Sequence, residues 1–480
     1  MKALGTNTPA LNDLRSNGEH RAESDEPDPL APGLQEPEFD LVVVARLILL
    51  DGEIAAGELG VRDGKIAALA RIGANLRSHH RIALRDEEIL IPGLVDSHVH
   101  VNEPGRTEWE GFTTATMAAS AGGITTIIDM PLNSVPPTVS VDALRVKQSA
   151  ARTKSFVDVG FWGGAVPGNT SQLAPLYEAG VFGFKCFLAE SGVDEFPPLT
   201  VAELETDMAE VARIGGLMIV HAEDAATLRR SRRETMGRQY RDFLASRPPE
   251  AESRAIATVI ESSRRTGARA HILHVSSATA LPLIAAAKAE GLPVTAETCP
   301  HYLSFAAEEI GEGRTLFKCC PPIRGAANRD LLWAGIDDGT IDCIVSDHSP
   351  SIPSLKDPAG GDFDAAWGGI SSLQLGLPVM LTEAKRRGVS LSRIVERMSA
   401  GPAQLLGLAR KGALAVGRDA DFAILAPDEE WTVDASRLRH RNPITPYDGM
   451  EVTGRVRATY LRGEPVDCDE APRGVLIDRE

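Results

Sequence analysis

The sequence predicts an α/β protein: a (β/α)8 TIM barrel with a small β-sandwich domain built from both chain flanks. Two patterns support this prediction. From Pro92 to about Gly407, eight short apolar runs of β type alternate with amphipathic helical stretches, as in a barrel whose parallel strands are each followed by a helix. On either side of this region, short strands separated by tight turns predominate, and neither flank is long enough to bury a core alone.

Composition narrows the classes of function and partner. The chain has 480 residues, of which 43% are hydrophobic and 24% charged, as is ordinary for a globular protein. Its net charge of −17 argues against nucleic acid and anionic membranes as partners. The sequence shows neither an apolar stretch of about 18 residues nor the apolar segment of a secretory signal. Six cysteines without framework spacing fit a reducing compartment, and we expect a cytoplasmic location.

Four regions follow one another along the chain. Residues 1–37 are rich in Pro, Asp, Glu and Ser, lack an apolar period and predict a disordered tail. Residues 38–91 predict the N-terminal half of the β-sandwich, since LVVVARLILLDG and GELGVRDGKIAALA each break at a DG pair that suits a hairpin. Residues 92–411 are the predicted barrel. Residues 412–480, where the β rhythm returns, predict the C-terminal half of the sandwich and a tail.

The strand candidates of the barrel share β-type apolar character and are followed by helix-like segments such as TVAELETDMAEVARIGG. They are LVDSHVH, GITTIIDM, VDVGFWGG, GVFGFKCFL, LMIVHAED, AHILHVSS, LPVTAETC and IDCIVSDH. Two further helical segments, at residues 374–388 and 391–407, would complete the barrel.

Side chains that suit a metal ion stand where these strands end. His98 and His100 end the first strand, and as residues i and i+2 of an extended chain they point to one face. Catalytic groups of such barrels lie at the carboxyl ends of the strands. The candidate ligands there are His98, His100, Lys185, His221, His274 and Asp347. Each alone has an ordinary structural explanation, but their coincidence at strand ends predicts a metal site.

Lys185 is the unusual member, because an ammonium group cannot bind a cation. Among Phe184, Cys186 and Phe187 its pKa is expected to fall. The neutral amine can add CO2 to give a carbamate (N6-carboxylysine), whose two oxygens can bridge two divalent metal ions about 3.5–4 Å apart. A hydroxide between the metals would be the nucleophile. Asp347 beside it would ligate one metal and act as general base, then as general acid.

These motifs resemble the cyclic amidohydrolase family, which includes allantoinases, dihydropyrimidinases, hydantoinases and dihydroorotases. The resemblance covers about Phe39 to Gly463 and rests on GLVDSHVH, GFKCFL, VHAED, LHVSS and VSDHSP. It implies hydrolytic opening of a cyclic amide by a metal-dependent barrel with a β-sandwich, commonly as a homotetramer. The implied ligands are His98, His100, carbamylated Lys185 and Asp347 for the first metal, and Lys185, His221 and His274 for the second. The expected metal is zinc, with Co, Mn and Ni as alternatives that the same ligands accept.

Within that family the sequence is most similar to the allantoinases, which open the cyclic ureide (S)-allantoin to allantoate in purine catabolism. Dihydroorotases carry an Arg where this chain has Asn102, and dihydropyrimidinases and hydantoinases carry a Tyr where it has Glu190. The segments NEPGRTEWEGF, DMPLNSVPPT, ETCPHY, FKCCPPIR and WGGISSLQLGLP resemble allantoinases. A neutral, amide-rich substrate requires polar contacts. The candidates are Asn133, His301, Ser349, Gly368 and Gly369.

Two other functions stay open on the sequence alone. One is a hydantoinase- or dihydropyrimidinase-like hydrolase of another cyclic amide. The other is a non-catalytic assembly protein, because this fold has members that lost the metal. Among the remaining polar residues, Arg106 is expected to form a structural ion pair with Glu103 or Glu110 at the mouth of the site.

Overall fold

The computed structural model describes residues 38–232, 236–358 and 360–479, so the tail predicted for residues 1–37 lies outside the described residues. The strands are β1 (Phe39–Leu50), β2 (Glu53–Arg62), β3 (Lys65–Arg71), β4 (Ser78–Ala83), β5 (Ile89–Pro92), β6 (Leu94–Val99), β7 (Ile124–Asp129), β8 (Asp158–Phe161), β9 (Gly163–Gly164), β10 (Phe184–Phe187), β11 (Leu217–His221), β12 (Arg269–Ile272), β13 (Val294–Thr298), β14 (Cys343–Ile344), β15 (Phe422–Thr432), β16 (Glu451–Leu461) and β17 (Glu464–Pro465).

The α-helices mostly lie between the barrel strands. They are α1 (Phe112–Ala121), α2 (Val141–Ala151), α3 (Thr170–Glu178), α4 (Val201–Arg213), α5 (Ala225–Ser231), α6 (Tyr240–Ser246), α7 (Pro249–Thr266), α8 (Leu281–Ala289), α9 (Pro300–Ser304), α10 (Ala326–Asp337), α11 (Pro353–Lys356), α12 (Gly376–Arg387), α13 (Leu391–Met398) and α14 (Ala400–Leu406). Across the described ranges, no helix has the length and apolar character needed to cross a membrane.

One eight-stranded sheet joins the two flanks of the barrel. Its order is β17-β16-β15-β5-β1-β2-β3, with β4 paired to β1. Strand β5 is the link, because it pairs antiparallel with β15 and parallel with β1. The sheet therefore combines strands from before and after the barrel, as predicted for the β-sandwich. The domain boundaries at residues 92 and 411 stay a prediction.

The two DG pairs form hairpin turns where the sequence predicted them. Asp51 and Gly52 have φ values of 46° and 83°, and Asp63 and Gly64 have φ values of 52° and 72°. Two consecutive residues with positive φ are typical of the type I′ turn, whose twist matches that of paired strands. These turns fix the register of β1 against β2 and of β2 against β3.

The eight predicted barrel runs each contain a parallel strand. Strands β6 to β8 form one sheet and β9 to β14 another, and β8 and β9 belong to a single predicted run that is interrupted at Trp162. The ring closes where Val99 pairs with His348 in parallel and the backbone N–H of His100 donates to the carbonyl of His348 at 2.8 Å. The carboxyl ends of the strands therefore surround one central point.

Helix α4, which follows the strand that carries Lys185, shows how the outer layer is built. It begins at a capping box in which Thr200 Oγ1 accepts from the N–H of Glu203, while the Glu203 carboxylate accepts from the N–H of Thr200. Its side chains Leu204, Met208 and Val211 recur at helical spacing and are buried. Full burial of such a side chain contributes about 1.5–3 kcal/mol, so the helical layer holds the strands while their ends carry polar groups.

Candidate metal centre

The six predicted ligands come together at the carboxyl end of the barrel, and all six side chains are buried. Oδ1 of Asp347 lies 3.1 Å from Nε2 of His98 and 3.6 Å from Nε2 of His100. Nζ of Lys185 lies 3.4 Å from the same nitrogen of His98. Four side chains from three different strand ends therefore converge on one small volume.

His221 and His274 form the other half of the cluster. Nδ1 of His221 lies 3.0 Å from Nε2 of His274, and the ring centroids of His274 and His98 are 5.4 Å apart. The ring of Phe187 stacks on His221 with 4.7 Å between centroids, and Nζ of Lys185 lies 4.9 Å from the centroid of Phe187. The lysine is therefore enclosed by the two histidine groups and an aromatic ring.

Two of the six residues have a strained backbone conformation. His274 has a φ of 37° and Asp347 a φ of 43°, values in the left-handed region that non-glycine residues rarely adopt. Such conformations cost about 1–3 kcal/mol and persist where the surrounding structure requires them. Here they turn both side chains at strand ends toward the shared centre.

A buried carboxylate sets the orientation of His98. Oε1 of Glu297 lies 2.5 Å from Nδ1 of His98, and Oε2 of Glu297 lies 3.0 Å from Nε2 of His271. Burial would raise the pKa of Glu297, but the charge of His98 and hydrogen bonds from both histidines lower it to about 2. Because the carboxylate accepts the Nδ1 proton, Nε2 of His98 is left to face the centre.

A second carboxylate orients His221 in the opposite sense. Oε2 of Glu223 lies 2.8 Å from Nε2 of His221, and the same oxygen pairs with the guanidinium of Arg247. Burial opposes ionisation, but the charge of Arg247 and the hydrogen bond from His221 lower the pKa of Glu223 to about 2. His221 is thereby directed to present Nδ1, rather than Nε2, to the centre.

The protonation states within the cluster suit a cation. Burial lowers the pKa of His100 and His274 well below the usual value, so both rings are neutral near pH 7. Burial also lowers the pKa of Lys185 to about 8, although Asp347 acts in the opposite direction. For Asp347, burial opposes ionisation, yet the charge and hydrogen bond of His98 hold its pKa well below the usual value. Neutral imidazoles and an ionised carboxylate are the forms that bind metal.

The donor set fits a divalent metal ion on further grounds. His98, His100 and Asp347 place one ligand atom each within 4.8 Å of one another. Nδ1 of the buried His274 has no hydrogen-bond partner among the described residues. Burial lowers the pKa of His98, but the carboxylates of Asp347 and Glu297 raise it more. The centre therefore favours a positive charge. Nitrogen and oxygen atoms of the kind that bind a divalent metal ion surround it.

A cavity of about 670 Å³ opens onto this centre. The predicted ligands that line it are His100, Lys185, His221, His274 and Asp347. Its outer wall combines polar and apolar groups and includes charged side chains at Glu190, Arg229, Arg232 and Asp364. Small-molecule sites typically have 300–1,000 Å³, so the cavity has room for a ring with a side arm.

Four of the five predicted substrate contacts line the cavity, namely Asn133, Ser349, Gly368 and Gly369. Nδ2 of Asn133 lies 3.4 Å from Nδ1 of His100. Gly369 has a φ of 153°, and a Cβ at this position would lie 2.3 Å from the backbone oxygen of Ser349. This close approach of two backbone segments requires glycine.

The fifth predicted contact, His301, has a different position. It is completely buried, does not line the cavity, and neither ring nitrogen has a hydrogen-bond partner among the described residues. One ligand atom each of Cys299, His301 and Asp347 lie within 4.8 Å of one another. His301 is therefore placed behind Asp347 rather than at the cavity wall.

The structure also revises one pairing and adds residues that sequence reasoning missed. Arg106 donates to Glu195 at 2.5 Å and to the carbonyl of Asn133 at 2.8 Å, so the prediction that it pairs with Glu103 or Glu110 is wrong. Glu103 instead accepts from the N–H of Phe112 and pairs with Lys154.

The sequence analysis did not identify the carboxylates Glu223 and Glu297, which orient two of the histidines. They lie in the segments VHAED and ETCPHY. An acidic residue at or near the end of a barrel strand was the signal that could have identified them.

Comparison with known proteins agrees with this geometry. Residues 89–466 match the sequence profile described as the amidohydrolase family. An allantoinase from Streptomyces avermitilis is 54% identical over 446 residues, covering 92% of this chain and 99% of that protein. An allantoinase from Saccharomyces cerevisiae is 48% identical over 382 residues, covering 78% of this chain and 82% of that protein.

A solved structure shares the fold. The L-hydantoinase (dihydropyrimidinase) from Arthrobacter aurescens superimposes with a TM-score of 0.85 and 33% sequence identity, covering 92% of this chain and 98% of that one. Together with the family profile, these similarities show a barrel-and-sandwich hydrolase that acts on a small molecule. The chain belongs to the amidohydrolase family, whose members are metal-dependent enzymes.

Proposed function

We propose that this chain is an allantoinase that hydrolyses the cyclic amide of (S)-allantoin to allantoate in purine catabolism. The observation that carries the proposal is the buried cluster of six ligand-type side chains at one end of a cavity, in a chain that is 54% identical to an allantoinase. Similarity to further allantoinases, such as one from Arabidopsis thaliana that is 42% identical over 441 residues, supports the same substrate.

The ligand assignment is part of the proposal. One divalent metal ion would be held by His98, His100, Lys185 and Asp347, and the second by Lys185, His221 and His274. Lys185 would carry CO2 as N6-carboxylysine, for which its buried position and its pKa of about 8 are suitable. Zinc is the proposed metal, and Co, Mn or Ni would suit the same ligands. When bound, the ions polarise the amide carbonyl and lower the pKa of a water molecule.

Asp347 is the proposed proton carrier. Its Oδ1 faces His98 and His100, which leaves Oδ2 to accept a proton from the attacking water. The water oxygen forms a bond to the amide carbon, the ring C–N bond breaks, and Asp347 returns the proton to the leaving nitrogen. The new carboxylic acid loses its proton to solvent near pH 7. The low pKa of Asp347 keeps the carboxylate ionised before each cycle.

Polar groups of the cavity wall are proposed to hold the ring. The side chains of Asn133 and Ser349 and the backbone of Gly368 and Gly369 line the cavity and offer donors and acceptors to a neutral, amide-rich molecule. The buried position of His301 supports a role beside Asp347 more than direct contact with substrate.

Two alternative functions differ in what supports them. A hydantoinase- or dihydropyrimidinase-like activity is favoured by the fold similarity to the Arthrobacter enzyme, but the sequence identity to allantoinases is higher. A non-catalytic assembly protein is disfavoured, because the chain retains all six ligand-type residues.

Assembly and location are also proposals. We propose a homotetramer, to be measured by size-exclusion chromatography with light scattering. A cytoplasmic location is supported by the six cysteines, which are all free thiols.

Steady-state kinetics test the proposed function. Allantoin, hydantoin, dihydrouracil and dihydroorotate are offered to metal-analysed protein, with Lys185→Ala as the variant and Lys385→Ala, whose side chain is 56% exposed, as the matched control. We expect a preference for allantoin, about two metal ions per chain, and loss of metal and activity only in Lys185→Ala. Preference for hydantoin or dihydrouracil would overturn the substrate, and full activity of Lys185→Ala would overturn the metal-bridging role of Lys185.

A further inference from the structure

The wall of the 670 Å³ cavity that opens onto the candidate metal centre carries a carboxylate that the proposed reaction does not use. Glu190 follows Lys185 by five residues and lines the same cavity as Lys185 and Asp347. Its side chain is exposed, and no hydrogen bond or ion pair joins it to any residue in the described ranges. A charged group presented to a cavity without a partner of its own is available to a ligand.

The backbone around Glu190 is fixed on both sides. Before it, the N–H of Leu188 donates to the carbonyl of His221 at 3.3 Å. After it, Oγ of Ser191 donates to the carbonyls of Val193 and Phe196 at 3.1 and 2.7 Å. The loop is therefore held next to the metal centre by contacts that do not involve the Glu190 side chain, so the backbone that carries Glu190 is positioned in advance of binding while its carboxylate stays available.

The other described carboxylate that lines the cavity outside the metal centre is Asp364, and it has a cationic neighbour. Nζ of Lys318 donates to the backbone carbonyls of Asp364 and Ala366 at 3.4 and 2.6 Å, and its ammonium group interacts coulombically with the Asp364 carboxylate. Of the two carboxylates that line the cavity outside the metal centre, Asp364 thus interacts with a neighbouring ammonium group, whereas Glu190 has neither a hydrogen bond nor an ion pair to another described residue.

We propose that Glu190 binds the ureido arm of the substrate and thereby determines specificity, an inference that rests on the proposed function. A ureido group presents its terminal and internal N–H groups side by side, and the two oxygens of a carboxylate accept both, in the manner of a guanidinium–carboxylate pair. Glu190 takes no part in proton transfer. It orients the ring by holding the arm, which hydantoin and dihydrouracil lack.

The charge of Glu190 has a second effect on selectivity. A substrate whose ring carries a carboxylate arm, such as dihydroorotate, would bring a second negative charge close to the Glu190 carboxylate. Glu190 therefore attracts a neutral arm rich in N–H groups and repels an anionic one.

The test compares Glu190→Gln with the wild-type protein at matched metal content. The measured quantities are KM and kcat for allantoin, and Ki for hydantoin as a competitive inhibitor of allantoin hydrolysis. We expect Glu190→Gln to raise KM for allantoin about tenfold or more, since a hydrogen bond to a charged group is lost and an NH2 group faces the donors of the arm. Ki for hydantoin should change less than about twofold. Glu309→Gln, at an exposed position outside the cavity, is the matched control and should leave both values near those of the wild type.

Each outcome decides the inference. An equal change of KM for allantoin and Ki for hydantoin would mean that Glu190 shapes the cavity without recognising the arm, and an unchanged KM would mean that the arm is held elsewhere. Both results would overturn the inference while leaving the proposed function intact. Failure of the wild-type protein to hydrolyse allantoin would instead overturn the proposed function, and is seen before any variant is measured.

Discussion

Oε1 of Glu297 on β13 lies 2.5 Å from Nδ1 of His98 on β6. The second oxygen of the same carboxylate holds His271. One buried side chain thus fixes the ring plane and the tautomer of a proposed metal ligand, a role that neighbours of ligating histidines commonly have.

Replacing this carboxylate by an amide is expected to weaken metal binding. Glu297→Gln should lower the metal affinity by about 10–100-fold, because the neutral amide is a poorer acceptor and leaves the His98 tautomer unspecified. Competition of the metal-free protein with a chromophoric chelator measures the affinity. Glu309→Gln, at an exposed position, should bind metal as the wild type does. Equal affinities for the two variants would contradict the orienting role of Glu297.

The buried histidine at position 440 predicts a pH dependence of stability. The ring of His440 contacts that of His348, with 4.9 Å between centroids and a tilt of 39°, and burial together with the charge of His348 lowers the pKa of His440 to about 3. Its pKa in the unfolded chain is about 6.5. Between these values the unfolded state binds a proton that the folded state does not, so the free energy of unfolding decreases as the pH falls from about 6.5 toward 3.

His440→Gln is expected to make this decrease smaller by up to about 1.4 kcal/mol per pH unit in that window. Urea unfolding at pH values of about 7, 6 and 5 measures the difference between the variant and the wild type. His79→Gln, at an exposed position, is the control and should follow the wild type. The prediction is wrong if His440→Gln and the wild type lose stability in parallel.

Two adjacent glycines of the cavity wall allow a matched comparison. In Gly369→Ala the new Cβ would lie 2.3 Å from the carbonyl oxygen of Ser349, at a φ of 153°, whereas in Gly368→Ala it would meet only Sγ of Cys320 at 3.3 Å. We expect Gly369→Ala to lower the free energy of unfolding by about 1–3 kcal/mol and to reduce kcat/KM, because the wall must shift. Thermal unfolding and kinetics measure both effects. A larger effect of Gly368→Ala would contradict the prediction.

A buried ion cluster joins the barrel to its flank. Nζ of Lys411 lies 2.7 Å from Asp158, 2.6 Å from Asp421 and 3.0 Å from Asp419. Lys411→Met would leave these carboxylates without their central cation, and breaking a buried pair in this way costs about 3–5 kcal/mol. Chemical unfolding measures the loss, and Lys385→Met provides the exposed control. A loss below about 1 kcal/mol would show that Arg462, which also contacts Asp158, compensates.

Strand positions, and the side chains that follow the strand ends, were predictable because both depend on local pattern. Alternating apolar runs located all eight barrel strands, and the rule that active groups follow parallel strands placed His98, Lys185 and Asp347 together. The DG turns at Asp51 and Asp63 were predictable for the same reason, since two residues determine the turn type.

What the sequence did not predict depends on contacts between distant segments. Glu297 and His98 are 199 residues apart, so nothing local relates them. Arg106 has two plausible carboxylates nearby in sequence, yet it pairs with Glu195, which lies on a different loop. The position of His301 behind Asp347 likewise depends on how β13 and β14 pair, which a one-dimensional pattern does not contain.

The pairing of β5 with both β1 and β15 has a consequence for synthesis. When residues 39–92 leave the ribosome, β5 can join β1 at once, but its other edge has to wait for β15, which begins at Phe422. At about 5–20 residues per second, the whole barrel is made during that delay, on the order of tens of seconds. Throughout that time the backbone N–H and C=O groups along one edge of this apolar strand lack their partners. A chain that stops before Phe422 would keep this edge open permanently, which makes late truncation an aggregation hazard even when the metal centre is complete.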